Sequence, residues 1–380
     1  MVRLGDPLTI KHMQLRNRLV LPPLTTNYGS SEGMVNKEIL QFYQQRSKDV
    51  GLVIVEATAV RSDGRIVPGS LGLWEDSQIS GMARLADTIK KQGAVAAIQV
   101  GHAGPRCSPC GGEMQGASPS GMAFRPDVEP QVMAIQQIEH LIKDFGEAVL
   151  RAAEAGFDSA EIHGAHFYLI SQFLSPVTNQ RKDHYGGDAK ARAVIAIEIV
   201  KAARERVGHD YPLIFRLNAV EKVDGGQTLD DAVIVSRLLV DAGIDILDVS
   251  LIAQSSWKEH EGRQFLASSS ALPKDEASGA NVYLAKKLKE ASGLPVIAVG
   301  KLGDVKVASK AISQSNIDMI AIGRQMICDP DTAGKILSGK EDQIIPCQEC
   351  LKCFATIGRG VPMACKVNKN LPFGEQKNEV

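Results

Sequence analysis

The chain is poor in features that mark several protein classes. Aromatic residues are only 5% of its 380 positions, and Trp occurs twice. No apolar run reaches the roughly 18 to 20 residues needed to span a bilayer as a helix. The start, MVRLGDPLTIKHMQLRN, lacks the apolar core of a secretory signal. No charge of one sign dominates: the formal net charge is -1, which gives no footprint for nucleic acid or for an acidic surface. These absences predict a cytoplasmic protein with neither membrane nor nucleic acid as partner. A disulfide framework is not expected either. Seven cysteines is an odd number, and in a cytosolic chain of this size they read as thiols or metal ligands.

The chain is rich in short, β-branched apolar runs separated by amphipathic stretches. Eight such runs are predicted as strands: 18–21, 52–55, 95–100, 159–162, 213–217, 246–249, 295–299 and 319–322. Most are apolar throughout rather than alternating, as in strands buried on both faces of a parallel sheet. Helical periodicity is expected over 77–91, 135–155, 189–207, 229–242, 282–291 and 304–313, with Gly156 and Gly243 closing two of these stretches. Eight alternating units imply an α/β fold, a (β/α)8 or TIM barrel. An open doubly wound sheet is the weaker alternative, because no GxGxxG follows the first strand. Two inserts, 103–134 and 251–280, interrupt the rhythm as long loops above the C-terminal face. The barrel is expected over 1–340 and a Cys-rich extension over 341–380.

Barrel active sites form at the C-terminal ends of the strands. Reactive residues gather there in the sequence: Thr25 after the first strand, Glu56 and Ala57 at the second, Gln99 and His102 at the third, Arg216 and Asn218 at the fifth. The fourth strand runs into His163-Gly164-Ala165-His166-Phe167-Tyr168. Two imidazoles three residues apart converge if the backbone turns helical there. As neutral donors they could hold a carbonyl oxygen, and the phenol of Tyr168 could deliver a proton. A structural role or zinc ligation are the alternatives. Gly300-Lys301 and Gly323-Arg324 follow strands seven and eight, where barrels often bind phosphate. Cys347, Cys350, Cys353 and Cys365 crowd into one short segment, a soft donor set suited to an iron–sulfur cluster or to zinc. Cys107 and Cys110 form a second CxxC, read as free or redox-labile thiols.

These residues resemble the Old Yellow Enzyme family of FMN barrels, from about residue 7 to 330. The resemblance is carried by LRNRLVLPPLT (15–25), GLVIVEATAV (51–60), AIQVGHAG (97–104), AGFDSAEIHGAHFYLISQFLSPVTNQRKDHYGGD (155–188) and IGRQMICDP (322–330). It implies FMN as cofactor, with Pro23, Thr25, Ala57 and Gln99 along the isoalloxazine and Arg216 near its N1 edge. Gly300, Lys301, Gly323 and Arg324 would hold the FMN phosphate. His163 and His166 would bind a substrate carbonyl, and Tyr168 would protonate Cα after hydride reaches Cβ. The tail resembles the branch containing 2,4-dienoyl-CoA reductase and trimethylamine dehydrogenase, which carries a [4Fe–4S] cluster on C-x2-C-x3-C-x11-C. Here the spacing is C-x2-C-x2-C-x11-C, one residue shorter in the middle step. The implied function is reduction of an α,β-unsaturated carbonyl compound, with NADH or NADPH, or a partner protein or subunit, as electron donor. An amine dehydrogenase or demethylase, and an electron-transfer subunit of a larger complex, are the alternatives. A homo-oligomer is compatible with both.

Overall fold

A computed structural model describes residues 2–107 and 115–372. Eight parallel strands close into a barrel: β1 (Leu19–Leu21), β2 (Leu52–Ala59), β3 (Val95–Gly101), β4 (Ser159–Gly164), β5 (Leu213–Glu221), β6 (Ile246–Ile252), β7 (Val296–Val299) and β8 (Met319–Ala321). They are hydrogen-bonded in sequence order, and β8 pairs with β1 to complete the ring. All eight predicted strands form, at nearly the predicted positions, because runs such as LVIVEATA are buried along their whole length.

The barrel interior has two layers. The lower one is apolar, built from Val20, Leu52, Ile54, Ala97, Ile214, Ile246, Ile297 and Met319. An N-terminal hairpin, Leu8–Ile10 with Met13–Leu15, plugs the bottom with Ile10, Met13 and Leu15. Two residues further along, on β3 to β6, the same inward face turns polar. Ile214 is followed by Arg216, Ile246 by Asp248, and Gln99 pairs in register with Glu161. The period of two that fills the barrel floor with hydrocarbon thus carries charge to its upper half.

Five predicted helices keep their expected places, at Ile79–Lys90, Ile135–Glu154, Leu229–Ala242, Val282–Ser292 and Val305–Ser315. The stretch 189–207 instead divides into Ala189–Arg192 and Val194–Val207, with Ala193 between them. A helix at Lys37–Arg46, not anticipated from its weak periodicity, is started by Asn36, whose side chain accepts from Ile39 N at 3.1 Å. Among the described residues no helix is long and apolar enough to cross a membrane.

The inserts are not plain loops. The second folds into an antiparallel hairpin, Gln254–His260 with Arg263–Ser269, turned by Glu261-Gly262. Both turn residues have positive φ, 50° and 78°, as a tight two-residue turn requires. In the first insert Gln115–Ser118 pairs with Glu129–Val132. Arg181 pins this insert by donating to the carbonyls of Pro119 (3.1 Å) and Met133 (2.7 Å). Ala123 O accepts from Leu266 N at 3.0 Å, so the two inserts brace each other above the barrel mouth. Cys110 lies outside the described residues, and Cys107 is buried.

Candidate active site

A cavity of about 440 Å³ opens at the C-terminal end of the barrel. It is lined by Pro23, Thr25, Ala57, Gln99, His163, His166, Tyr168, Arg216, Gly300, Lys301, Gly323 and Arg324, together with Cys347 and Cys353 of the tail. The barrel residues assigned by sequence to flavin and substrate are therefore brought to one place, whereas Glu56, His102 and Asn218 do not line it. A bulge explains how Ala57 gets there. Val55 pairs with Ile98 and Thr58 with Val100, so Glu56 and Ala57 together oppose Gln99. The extra residue lets Ala57 line the cavity while Glu56 turns away, accepting from Thr26 N (2.8 Å), Thr26 Oγ1 (2.9 Å) and Tyr43 Oη (3.3 Å). Burial pushes the Glu56 carboxyl up to about 7.

His163, His166 and Tyr168 form one ring cluster. The ring centroids are 5.1 Å apart for the two histidines and 5.0 Å for His163 and Tyr168. The backbone route differs from the expected helical turn. His166 and Phe167 are left-handed, with φ of 65° and 54°, and the helix begins only at Leu169. This conformation is uncommon for non-glycine residues. It is held by Asn218, whose side chain accepts from His166 N at 3.2 Å, and by Ser171 Oγ, which accepts from Phe167 N at 3.1 Å. His166 Nε2 lies 2.7 Å from Ser250 Oγ, leaving its Nδ1 for a ligand. His163 Nδ1 is buried and has no partner in the protein. Burial, reinforced by the positive charges of Arg216 and Arg106, holds both imidazoles well below their ordinary pKa, so they are neutral at pH 7. Burial raises the Tyr168 phenol, against the pull of Arg106 and Arg216, so it keeps its proton.

Beneath this cluster Arg216 meets two acids that sequence reasoning missed. Arg216, buried, has its Nε 3.4 Å from Asp248 Oδ2, and Asp248 is fully buried. Glu161, also fully buried, accepts from Gln99 Nε2 at 2.6 Å. Burial raises both carboxyls; each also feels the other, and Arg216 pulls them down. Both acids were recoverable from the sequence, since each sits an even number of residues from a cavity residue on its own strand, Glu161 from His163 and Asp248 from Ser250.

At the loops after β7 and β8 the parts play different roles from one another. Gly300 has φ 125°, and a Cβ there would come within 2.5 Å of Asn281 Nδ2. The ammonium of Lys301 is fully engaged. It donates to the carbonyls of Lys274 and Glu276, each at 2.8 Å, and to Pro273 at 3.3 Å, and pairs with Glu349 at 3.0 Å. Lys301 can therefore offer a phosphate its backbone N–H, while its charge is balanced by the tail. Arg324, at the start of the short helix Arg324–Cys328, is the cation left facing the cavity.

The tail packs on the barrel. Met363 is buried, and its carbonyl accepts from Tyr28 Oη at 2.7 Å. The four cysteines are neighbours, but the structure does not draw them to ligating distance. Among the described residues no three His, Cys, Asp or Glu side chains stand close enough to hold a metal. The turn carrying Cys350 is exposed, with Glu349 and Leu351 both left-handed. Burial raises the Cys347 thiol and pushes Cys353 up to about 11. A fifth thiol, Cys328, is buried beside Cys365 and pushed up to about 12, chiefly by burial.

Comparison with known proteins agrees with this geometry. The sequence pattern of the NADH:flavin oxidoreductase / NADH oxidase family matches residues 3–343. The chain belongs to that family. It is 34% identical over 368 residues to an NADH oxidase of Thermoanaerobacter brockii, covering 94% of this chain and 54% of the relative. Among solved structures, a 2-naphthoyl-CoA reductase complex superposes with a TM-score of 0.90 at 26% identity, covering 97% of this chain and 57% of the other. Histamine dehydrogenase from Rhizobium sp. 4-9 superposes with a TM-score of 0.81 at 26% identity, covering 98% and 52%. The chain thus spans about half the length of these relatives.

Proposed function

We propose that this barrel is an FMN-dependent ene-reductase, reducing the C=C of an α,β-unsaturated carbonyl compound with electrons from NADH or NADPH. The observation that carries this reading is the neutral His163/His166 pair beside a protonated Tyr168, on the wall of a cavity that suits FMN. The fit to FMN rests on three features. Gly300 and Gly323 offer bare backbone where a Cβ would crowd Asn281, or Leu24 and Pro22. Arg216 Nε is buried without a hydrogen-bond partner. Pro23, Ala57 and Gln99 supply an apolar and amide wall between them. Bound there, FMN would supply reversible hydride transfer.

The chain's own residues do the rest. Ser250 leaves His166 Nδ1 free, and neither ring nitrogen of His163 has a partner among the described residues; as neutral donors the two imidazoles hold the substrate's carbonyl oxygen and stabilise negative charge growing on it. Ser250 fixes the plane of His166 by its contact at Nε2. Tyr168 Oη holds the proton destined for Cα, and its raised pKa keeps that proton in place until a carbanion-like carbon is present to take it. Arg216 places positive charge on the floor of the cavity, where an anionic reduced isoalloxazine would be stabilised.

The donor chemistry of Cys347, Cys350, Cys353 and Cys365 also suits a [4Fe–4S] cluster, three thiols in short steps plus one distant. Such a cluster, formed on closure of the Cys350 turn, would connect the barrel to an electron-donor protein or subunit. The reductive reading is tested by anaerobic reoxidation of the dithionite-reduced, FMN-loaded protein. An enone or enoate should restore the oxidised flavin spectrum. If small amines bleach the oxidised flavin and no unsaturated carbonyl reoxidises it, the amine dehydrogenase reading replaces this one.

A further inference from the structure

Arg106 follows β3 in the turn Gly104–Arg106 and lines the cavity beside Tyr168. Its guanidinium lies 5.6 Å from the centre of the Tyr168 ring and 5.7 Å from that of Phe124. Its hydrogen bonds go to Ser268 of the second-insert hairpin, at the hydroxyl and at the carbonyl. Among the described residues no carboxylate pairs with it. The charges that act on it are another cation, Arg125, and the phenol of Tyr168. Arg125 in turn is paired with Asp127 at 2.9 Å. A guanidinium cannot shed its proton to escape this situation. Arg106 is half-buried; a cation partly withdrawn from water without a counter-charge is costly, and an anion delivered to it recovers that cost.

The position of this unpaired charge is informative. In the closed ring β3 and β4 lie opposite β7 and β8. The glycine loops and Arg324 therefore occupy one side of the cavity, and Arg106, His163, His166 and Tyr168 the other. The anion that Arg106 receives is accordingly on the substrate side, within reach of the group that protonates the substrate. Arg106 also lowers the basicity of both histidines, so an anion on Arg106 and a carbonyl oxygen on the imidazoles are compatible demands.

We infer that Arg106 binds a carboxylate carried by the substrate, so that the preferred substrates are unsaturated acids rather than neutral enones. This rests on the reductive reading of the site and narrows it. A planar fork of N–H donors matches a carboxylate in two-point contact, as Lys could not. Ser268 orients the fork and links it to the hairpin, so the specificity determinant sits partly on the second insert.

The test is binding, read as perturbation of the flavin spectrum of the oxidised FMN-loaded protein by benzoate and by benzamide. Benzoate should bind more tightly, on the order of tenfold to a hundredfold for one charge-assisted contact of this kind. Arg106→Gln should erase that preference while leaving benzamide binding within about twofold. Arg106→Lys should keep part of it. Ser268→Ala, which removes a hairpin bond but not the cation, should keep most of it. Equal binding of the two ligands by the wild type, or an intact preference in Arg106→Gln, overturns the inference. Reoxidation of the reduced protein by 2-cyclohexenone separates the two levels. Turnover of that enone without benzoate preference removes Arg106 as anion receptor and leaves the reductase. Arg106-dependent benzoate binding with no reoxidation by any enone or enoate keeps the anion site and removes the reductase.

Discussion

Replacing Glu161 and Asp248 one at a time and then together measures how the barrel floor accommodates Arg216. Three ionisable groups meet there out of water: one guanidinium, 5% exposed, and two carboxyls, both 0% exposed. With everything ionised the group would carry one net negative charge in a medium that tolerates none. A single retained proton, shared by the carboxyl pair, makes it neutral. Asp248→Asn leaves Arg216 facing Glu161, which then ionises because its like-charged neighbour is gone. Charge balance survives, and the change should lie within about 1 kcal/mol of wild type, the scale of one neutral hydrogen bond. Glu161→Gln should behave likewise. The double replacement leaves a buried cation with no counter-charge, for which the expected loss is about 3–5 kcal/mol. Most of that must appear as non-additivity, which a double-mutant cycle isolates. The pH dependence gives an independent reading. A carboxyl whose folded pKa is raised adds stability that is fully present below its unfolded value and is lost as pH rises through the folded value. One retained proton corresponds to a fall of about 1.4 kcal/mol per pH unit in that window. Each single variant should lose this slope relative to wild type. Urea unfolding followed by far-ultraviolet dichroism between pH 5 and 8 provides both quantities. Two single variants that each cost about 3–5 kcal/mol, and simply add, would show that the carboxyls act separately and would refute the shared proton.

The other expectations are simpler. Glu56, pushed up to about 7 by burial, binds a proton on folding that the unfolded chain lacks above about 4.5. Stability therefore declines between these values by up to about 3 kcal/mol. In Glu56→Gln that component should vanish, and an unchanged pH profile would count against it. Arg216→Gln removes a buried cation from the cavity floor; loss of about 1.5–3 kcal/mol of stabilisation of reduced flavin lowers its two-electron potential by roughly 30–65 mV. A potential that does not move would exclude the role given to Arg216. Cys350→Ser in protein purified without oxygen should abolish iron and acid-labile sulfide while FMN stays bound. Iron retained at wild-type stoichiometry would transfer the ligand role elsewhere, with the buried Cys328 as the nearest replacement.

The barrel was legible because its strands are buried on both faces and so read as continuous apolar runs, a signal that needs no knowledge of partners. The cavity residues were legible for a related reason. Chemistry in a closed parallel barrel collects at the C-terminal strand ends, so position alone selected Ala57, Gln99, His163 and Arg216. What escaped depends on pairing across elements. Lys301 reads as a phosphate cation until Glu349, 48 positions away, is seen to neutralise it. Glu161 and Asp248 lie on strands that are not neighbours and are linked through Arg216 on β5 between them. The second insert reads as a polar loop because QSSWKEH has no apolar face, yet Glu261-Gly262 between two seven-residue stretches was a usable hairpin signal. Arg106 gave no signal at all, since an arginine in a Gly-Pro turn becomes informative only once its surroundings are found to hold no acid.

The Lys301–Glu349 pair carries a consequence for how the tail and the cavity depend on each other. Glu349 lies between Cys347 and Cys350, and Lys301 follows the Gly300 that leaves bare backbone at the cavity edge. The Lys301 side chain is 8% exposed, and its ammonium is held by three carbonyls of the segment 273–276. Breaking the pair would leave a buried charge unbalanced, so neither loop can move without cost to the other. Gln325 adds a second tie, accepting from Cys347 N at 2.9 Å while donating to Ile345 O at 2.8 Å. The thiol segment is thereby fixed to the two loops that follow β7 and β8. A chemical change at the thiols would be felt at the glycine side of the cavity through these bonds. The substrate side, formed by the elements after β3, β4 and β6, is tied instead to the two inserts through Arg106 and Ser268. One face of the barrel thus divides into a half anchored by the tail and a half anchored by the inserts, with Arg216 and its carboxyl pair on the floor between them.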